Sequence, residues 1–498
     1  MSDTVLIARI AVVIDRFAKT VKERVPAWEN ARDPVAFRQM ETEVAATARA
    51  AADEICGEVL QSIAEDSEFR AETERAARRA GAYRGGEVRP VRVTLLSGRE
   101  VVLRIPYLKP DRRGRVGRPR GVGRRGRGGS GMYPVLAALG IWFGVTPALA
   151  AEVCCQVADS DSLRAGRDAL ARRGSDLALK RVHRIVNSCS RRCVAQRQQW
   201  MQDALACDAP ISDSFAGKRV VIAPDGGRLR ERRPKKRGRR RKTTGRRGYG
   251  APWREPKLFV IYTIDENGEP TNCMRPVYDG TLGDCNAMFA LLASYLKALD
   301  LANAREVIVV GDGAKWIWER AASILRQVGV PAERITEVID WYHAVETIHE
   351  IAAIPAGWSA AAREKWTNRA RRLLAGGHVN AVVAMIDDMA AGRRAKDVNS
   401  HRDYFVRNTH RMQYSSFKKA KVPRGSGAVE SMVRRVVNMR MKANGTFWLE
   451  ENAEGMLMLR SYLKAARFDD LMDWSFRTAA SWWETRPRAT LNDLPEAA

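Results

Sequence analysis

The amino-acid sequence predicts a mixed α/β fold in which helices outnumber strands. Between residues 218 and 343, short runs rich in Val and Ile alternate with segments of helical periodicity. Elsewhere, apolar residues recur mostly at helical spacing. With 498 residues, the chain is long enough for about two to four domains and at least one large core.

The N-terminal part predicts helices followed by one β-hairpin. Residues 1–86 are rich in Ala and Glu and place apolar side chains at helical spacing, so we expect an N-terminal helical region. Residues 87–130 predict a hairpin from Arg89 to Leu103, followed by an Arg/Gly-rich basic linker.

Residues 131–210 predict a helical domain whose main helices have polar N-caps at Thr146, Ser162 and Ser175. A short helix, a turn at Gly174 and a basic third helix form the pattern of a helix-turn-helix DNA-binding domain. A plain helical connector is the alternative interpretation.

The sheet is predicted within residues 211–343. Its strands are short apolar runs at 219–224, 257–264, 272–278, 306–311 and 335–340. Helices are expected at 284–299 and 314–328. The remainder predicts helices alone over 344–423, a return to the α/β domain over 424–470, and a C-terminal tail over 471–498.

The charge of the chain is concentrated in two segments. The run 112–127 has eight Arg and no acid, and the run 228–247, an insert in the α/β domain, has thirteen Lys or Arg and one Glu. They contribute +8 and +12 to a net charge of +27. Such concentration favours a polyanion partner over a merely solvated surface.

Candidate DNA-binding residues lie in these runs and on the basic helix. Gly117-Arg118-Pro119-Arg120-Gly121 resembles an AT-hook core, which binds in the minor groove, and a flexible basic linker is the alternative. The candidates are Arg118, Arg120, Lys180, Arg181, Arg184, Arg232, Arg233, Lys235, Lys236, Arg237, Arg239, Arg240 and Arg241.

Three carboxylates stand at the ends of apolar runs or within an apolar helical stripe. Asp225 and Asp312 each follow a run of predicted strand, and Glu430 shares the spacing of Val433 and Val437 on a predicted helix that extends to about residue 442. A carboxylate near a core is costly unless it is paired or bound to a metal ion. These three residues, 87 and 118 positions apart, therefore predict one divalent-cation site. Taken singly, each Asp-Gly pair also fits an ordinary turn.

Four motifs carry a family resemblance: Asp225-Gly226-Gly227, Gly311-Asp312-Gly313-Ala314, Asp340-Trp341-Tyr342-His343 and Gly425-Ser426-Gly427-Ala428-Val429-Glu430-Ser431. With these motifs the chain resembles DDE-type bacterial insertion-sequence transposases, in particular the ISKra group of the Mutator-related branch. The resemblance covers roughly 218–343 and 424–462 and is poor before residue 130.

The resemblance implies an RNase H-like catalytic core with an all-helical insertion domain at 344–423. It implies that Asp225, Asp312 and Glu430 are catalytic and bind Mg²⁺, for which Mn²⁺ substitutes, with Asp340 and His343 as accessory residues. A core histidine satisfied by Asp340 is the other interpretation of His343. The expected reaction is metal-dependent cleavage at transposon ends and transfer of the 3′-hydroxyl into target DNA.

Two other functions remain open on the sequence: an RNase H-like nuclease without strand transfer, and a non-catalytic DNA-binding protein derived from a transposase. The expected partners are double-stranded DNA and further copies of the chain. The uncharged stretch 131–151 is interrupted by Pro134, Gly144 and Pro147, so we expect no membrane span and a cytoplasmic, nucleoid-associated protein. The resemblance implies that the protein is bacterial. The eight scattered cysteines are expected to be reduced core residues.

Overall fold

The computed structural model describes residues 3–80, 83–110 and 131–477, apart from 208, 213, 236, 239–242, 244, 246, 272 and 391–394. The fold is mixed α/β, which confirms the predicted class. Two compact units are present. The first holds the described residues up to Cys189 and from Asp469 onward, and the second holds Ser190–Phe468.

The first unit is built from long helices and a β-hairpin. Its helices and strands before the second unit are α1 (Asp3–Trp28), α2 (Pro34–Glu65), α3 (Ser67–Ala80), β1 (Tyr83–Thr94), β2 (Glu100–Pro110), α4 (Pro134–Ala138), α5 (Pro147–Asp159) and α6 (Leu163–Arg172). The hairpin is longer than predicted, because β1 and β2 stay paired as far as Tyr83 and Pro110. Val93, Leu103 and Ile105 are buried in one apolar cluster of this unit.

Two of the three predicted N-caps are present. The Thr146 side chain accepts a hydrogen bond from the Leu149 N–H, and Ser162 accepts one from the Ala165 N–H. Ser175 is different, because it is buried and its hydroxyl donates to the Leu96 carbonyl at 2.8 Å. Helix α7 (Leu179–Ala206) therefore starts three residues later than a cap at Ser175 predicted.

A five-stranded mixed sheet organises the second unit. The strand order is β11–β10–β3–β8–β9. Strand β8 is antiparallel to both of its neighbours, β3 and β9, whereas β10 and β11 run parallel to β3. They are β3 (Arg219–Gly226), β8 (Lys257–Ile264), β9 (Val277–Thr281), β10 (Glu306–Gly311) and β11 (Ile335–Ile339), with the two-residue strands β4 (Leu229–Arg230), β5 (Arg233–Pro234), β6 (Tyr249–Gly250) and β7 (Trp253–Arg254) outside the sheet.

The predicted strand 272–278 is wrong in position, since β9 starts at Val277 and ends at Thr281. Pro276 precedes it and has no N–H to donate to a ladder. Asp279 lies in the middle of β9 and is fully buried, because Arg197 binds its carboxylate at 2.6 Å. A buried ion pair of this kind has no signature in an apolar pattern.

Alternation along the strands divides the core between the two faces of the sheet. Val221, Ile308 and Val310 pack on one face with the helices that follow β11. The neighbouring positions Val220 and Ile222, with those of the other strands, pack on the opposite face with residues of α7 and of the helices that precede β11. The sheet is therefore buried on both sides, as its near-continuous apolar strands require.

The helices of the second unit include the predicted strand-free stretch. They are α8 (Cys285–Ala298), α9 (Lys315–Trp318), α10 (Ala321–Gln327), α11 (Trp341–Ala353), α12 (Ala360–Ala375), α13 (Val379–Ala390), α14 (Ala395–Arg407), α15 (Tyr414–Lys419), α16 (Gly427–Val433) and α17 (Glu450–Lys464). Over the described residues from 341 to 433 all regular elements are helical. Buried residues of this stretch share the cluster on the face of Val221, so these helices form one layer on the sheet.

Two helix predictions need correction. The helix expected at 314–328 is two helices, α9 and α10, because the backbone leaves the helical region at Arg320 (φ −121°, ψ −36°). The helix of Glu430 continues after Val433 as a short π-helix over Arg434–Asn438 and does not reach residue 442. π-Helical segments are rare, so the sequence did not predict this one.

The last described helix, α18 (Phe468–Arg477), begins at the boundary of the second unit and runs into the first. Of the eight cysteines, Cys154, Cys189 and Cys193 are buried, so the expectation of core cysteines holds for three of them. Within the described part of the chain, none of the helices has the length and apolar character that a membrane span needs.

Candidate metal and active site

Three aspartates stand side by side at the carboxyl ends of adjacent parallel strands. Ile222 of β3 pairs with Val309 of β10, and both Asp225 and Asp312 come three residues later. Gly311 pairs with Ile339 of β11, so that Asp312 and Asp340 are the next residues of the same register. Neighbouring strands are about 4.8 Å apart. The sheet therefore places Asp225, Asp312 and Asp340 in one row, which we call the carboxylate row.

Asp225 has a raised pKa in this row. Burial raises the pKa of Asp225 to about 6, and the negative charges of Asp312 and Glu430 act in the same direction. A hydrogen bond of 2.6 Å from the Gly226 N–H to Asp225 Oδ1 opposes the shift. The mutual repulsion of these carboxylates would be relieved by a bound cation.

Asp340 is fully buried and makes contacts with two segments of the chain. Its Oδ1 caps α11 by accepting the Tyr342 N–H at 2.6 Å, and its Oδ2 accepts the Ser426 N–H at 2.7 Å. Burial opposes its ionisation, but the pairing with His343 and the hydrogen bonds from Ser426 lower the pKa of Asp340 to about 2. Asp340 is therefore a carboxylate at neutral pH.

His343 is the cationic partner of Asp340. Its Nδ1 lies 3.6 Å from Asp340 Oδ2, which is an ion-pair distance slightly longer than a hydrogen bond. The pairing raises the pKa of His343 to about 9, although burial opposes the charge. Among the described residues, the buried Nδ1 has no hydrogen-bond partner. Asp340 thus stabilises the charged imidazole mainly through the ion pair, since the distance is longer than a normal hydrogen bond.

Glu430 reaches the site in a way that the sequence did not predict. The expectation that it lies on the core-facing stripe of Val433 and Val437 is wrong, because Glu430 is exposed while both valines are buried. Val429 and Met432 bury the inner face of α16, and this helix packs against β3 and β8. Glu430 therefore projects outward from a helix that is fixed on the strand of Asp225.

Asp340, His343 and Glu430 form a group that could bind a metal ion. Each offers one ligand atom, and these atoms lie within 4.8 Å of one another. The group joins one residue of the predicted triad to the two predicted accessory residues. Asp225 and Asp312 lie near enough to interact electrostatically with the group, since Asp312 acts on the pKa of His343, and His343 and Glu430 act on the pKa of Asp225.

The donor set fits a divalent cation. Carboxylate oxygens are the ligands that Mg²⁺ and Mn²⁺ prefer, whereas imidazole suits later transition metals as well. The repulsion among the carboxylates is relieved by a cation. His343 carries a proton at neutral pH, so coordination through its nitrogen requires the loss of that proton.

Sequence reasoning missed two side chains of the site. The Ser426 hydroxyl contacts Asp340 Oδ2 and lies 2.9 Å from Glu430 Oε1, and its single proton can serve only one of them at a time. Tyr404 of α14 covers Gly313, where an added Cβ would lie 2.0 Å from the ring. The motif around Ser426 was visible in the sequence, but Tyr404 had no signal because it is 91 residues away from Gly313.

The predicted DNA-binding residues of α7 differ in availability. Lys180 and Arg184 are exposed, and the Arg184 guanidinium lies 5.8 Å from the Phe143 ring centroid. Arg181 is half-buried and donates hydrogen bonds to the Thr94 hydroxyl and to the carbonyls of Phe143 and Gly144. Its guanidinium is thus occupied within the protein.

The insert after Asp225 is described in part. Arg232, Arg233, Lys235 and Arg237 are exposed, and Arg233 binds Glu231 with two nitrogens at 2.7 and 2.9 Å. The candidates that lie outside the described residues are Arg118, Arg120, Lys236, Arg239, Arg240 and Arg241. The exposed Lys and Arg side chains of the insert are accessible to phosphate groups, and their binding to DNA stays a prediction.

No family model, curated protein or solved structure matches this chain. The fold and the site define a mixed α/β protein with a candidate metal site at the carboxyl edge of its sheet. The family resemblance of the sequence motifs therefore remains a prediction.

Proposed function

We propose that the protein is a DDE-type DNA transposase, which cleaves DNA at the ends of its element and joins the freed 3′-hydroxyl to target DNA. One observation carries the proposal: the carboxylate row stands next to Glu430 and His343 on one edge of the sheet. Four acids in one place are costly unless a cation neutralises them. Phosphodiester chemistry on DNA uses such carboxylate-bound cations.

The architecture supports an RNase H-like interpretation of the second unit. Its mixed sheet carries the carboxylates at strand ends, and the helical layer from α11 to α15 separates β11 from the helix of Glu430. We assign residues 344–423 as the insertion domain of this core. Its buried residues share a cluster with the sheet, so this domain would also brace the strands of the carboxylate row.

The residues have distinct parts in the proposed chemistry. Asp225, Asp312 and Glu430 would hold Mg²⁺, or Mn²⁺ in its place, with Asp340 and His343 beside them. When bound, the cation would activate the attacking oxygen and stabilise the leaving oxygen. Ser426 would keep Glu430 and Asp340 together through its hydroxyl. Protonated His343 would add a positive charge for a DNA phosphate.

The basic segments would supply the affinity for DNA. The two runs carry most of the net charge of +27, and contacts of Lys and Arg with phosphate dominate non-specific binding. Exposed Lys180 and Arg184 on α7 would face DNA in end recognition. We also propose that the chain acts as a homo-oligomer, because two transposon ends must be joined.

The experiment compares cleavage, strand transfer and DNA binding in one set of variants. Asp225→Asn, Asp312→Asn and Glu430→Gln should abolish cleavage of DNA that carries the sequences flanking the gene, yet retain binding in a mobility-shift assay. The matched control is Asp284→Asn, which removes the same charge at the N-cap of α8, where Asn also caps well. Near-wild-type cleavage by any triad variant with Mg²⁺ would contradict the assignment.

Two outcomes would favour the other functions. Cleavage without joining of the 3′ end to a second DNA would identify a nuclease. Binding of DNA without cleavage in either Mg²⁺ or Mn²⁺ would identify a non-catalytic DNA-binding protein. Calorimetric titration with Mn²⁺ shows whether the protein binds a metal ion even if it does not cleave DNA. If the Asp340–His343–Glu430 group holds the ion, Asp340→Asn and Glu430→Gln should each weaken Mn²⁺ binding at least about tenfold.

A further inference from the structure

We propose that an arginine–aromatic platform, formed by the insert and by chain segments next to it, binds an unpaired nucleotide of the DNA substrate by stacking. The platform consists of Arg230, Arg232, Tyr249, Trp253 and Phe447. The proposal rests on the proposed function, because it takes DNA as the ligand. It adds a binding site and a type of DNA structure that the carboxylate site does not specify.

Cation–π contacts order the platform. The Arg230 guanidinium lies 4.8 Å from the Trp253 ring centroid and 6.0 Å from that of Phe447. The Arg232 guanidinium lies 4.5 Å from the Tyr249 ring centroid, and Tyr249 meets Phe447 edge to face at 5.4 Å. The planar groups are therefore held in place before a ligand binds, which reduces the entropy that binding would cost.

Backbone hydrogen bonds fix the platform to the chain segment that follows the helix of Glu430. Strand β4 pairs with β7, and β5 pairs with β6, so that the described residues between 229 and 254 form a double-stranded arm. The Arg232 N–H donates to the Trp448 carbonyl at 2.6 Å, and the Trp448 N–H donates to the Arg230 carbonyl at 2.9 Å. The platform is thus attached through Trp448 to the segment that follows the helix of Glu430 in the proposed catalytic core.

The arm leaves the sheet at the end of β3, one residue after Asp225. Gly227 donates its N–H to the Pro256 carbonyl at 2.8 Å, which closes the base of the arm. Asp225 pairs with Leu258 on the strand to which the arm returns. DNA held by the arm would therefore enter the site beside the carboxylate row.

Exposure and charge point to an unpaired nucleotide. Trp253 is 52 % exposed, so the burial of a core does not explain this indole. Bases in a duplex cover one another, whereas an unpaired base offers a free face that stacks on aromatic and guanidinium planes. The run 228–247 has thirteen basic residues against one acid, which complements the phosphates of a strand.

The test measures affinity of the full chain for an oligothymidine of about 12 nucleotides and for a duplex of the same length. EDTA is present, so that the result is independent of cleavage. Trp253→Ala should weaken binding of the single strand about 5- to 150-fold, the range expected for the loss of one stacked base. Its salt dependence should stay unchanged, because stacking releases no counterions.

Three further variants make the outcome decisive. Trp253→Phe should restore most of the affinity, and Arg230→Lys should lower it although the charge is kept. Phe37→Ala, at a 49 % exposed aromatic residue of α2, is the control and should change nothing. Equal losses for single strand and duplex, a reduced salt slope in Trp253→Ala, or unchanged affinity would each overturn the platform. If the triad variants kept their cleavage activity, the proposed function would be refuted, but the measured preference of the platform for single-stranded DNA would remain valid.

Discussion

The Oδ2 atom of Asp340 accepts a hydrogen bond of 2.7 Å from the backbone N–H of Ser426, 86 residues further along the chain. This contact joins the end of β11 to the start of α16. It brings Glu430 next to the carboxylate row, since Glu430 lies one helical turn after Ser426. The geometry of the metal group thus depends on a contact outside the ligands themselves.

Replacement of Asp340 by Asn should remove the charge that holds the proton of His343. In the metal-free protein, the pKa of His343 should fall from about 9 toward about 6.5, measured by NMR titration of the ring protons. Asn keeps the cap of α11, so the helix should remain. The control is Asp284→Asn, in which the His343 titration should match that of the wild type.

The Asp340–His343 pair also predicts how the stability of the fold changes with pH. The folded pKa of His343 lies above the unfolded value, so its stabilisation is complete below about pH 6.5 and is lost as the pH rises through about 9. The folded pKa of Asp340 is lowered, so its contribution is present above about pH 4 and is lost as the pH falls through about 2. Urea unfolding of wild type and Asp340→Asn at pH 6 and pH 10 should show the larger difference at pH 6.

Arg197 should be among the most important residues for stability in the second unit. It is buried and binds Asp279 at 2.6 Å and Glu454 at 2.5 Å, which joins α7, β9 and α17. Removing one partner of a buried ion pair leaves an uncompensated charge and costs about 3–5 kcal/mol. Arg197→Met should lower the free energy of unfolding by that amount in chemical denaturation.

A matched control for this prediction lies on the same helix. Arg191 binds Glu451 at 2.5 Å but is exposed, and exposed ion pairs contribute less than about 1 kcal/mol. Arg191→Met should therefore leave the unfolding midpoint almost unchanged. Similar losses in the two variants would show that burial does not decide the contribution of Arg197.

Arg181 should act on stability, whereas Lys180 and Arg184 should act on DNA binding. The Arg181 guanidinium donates to two backbone carbonyls and one hydroxyl, and the loss of such bonds costs about 1–3 kcal/mol. Arg181→Ala should lower the melting temperature. Lys180→Ala and Arg184→Ala should keep it and weaken binding to end DNA. The opposite pattern would exclude α7 as a DNA-contacting helix.

Tyr404→Phe should stabilise the metal-free protein. The buried hydroxyl of Tyr404 has no hydrogen-bond partner among the described residues, and the charges of Asp312 and Asp340 act on it. Burying an unpaired hydroxyl is unfavourable, so its removal should raise the free energy of unfolding by about 1 kcal/mol. Tyr404→Leu should instead destabilise, because the ring that covers Gly313 would be lost. A loss of stability in Tyr404→Phe would reveal a hydrogen bond at the hydroxyl.

The sequence was sufficient for local features of the fold. Strands β3, β8 and β10 lie within two residues of their predicted positions, since uninterrupted Val and Ile runs are typical of a doubly covered sheet. The prediction of β9 failed because Asp279 is a buried charge in its centre. The cap at Ser175 failed because the hydroxyl bonds to the distant Leu96 carbonyl.

The sequence by itself determined which residues carry charge, which segments form most of the strands and helices, and that Asp225 and Asp312 come at the ends of apolar runs. Only the tertiary structure decided that these aspartates share one register with Asp340, that Ser426 links Asp340 to Glu430, and that Arg197 satisfies Asp279. The reason is physical. Periodicity and propensity act over a few neighbouring residues, whereas register and ion pairing depend on chain segments that meet only after the sheet has formed.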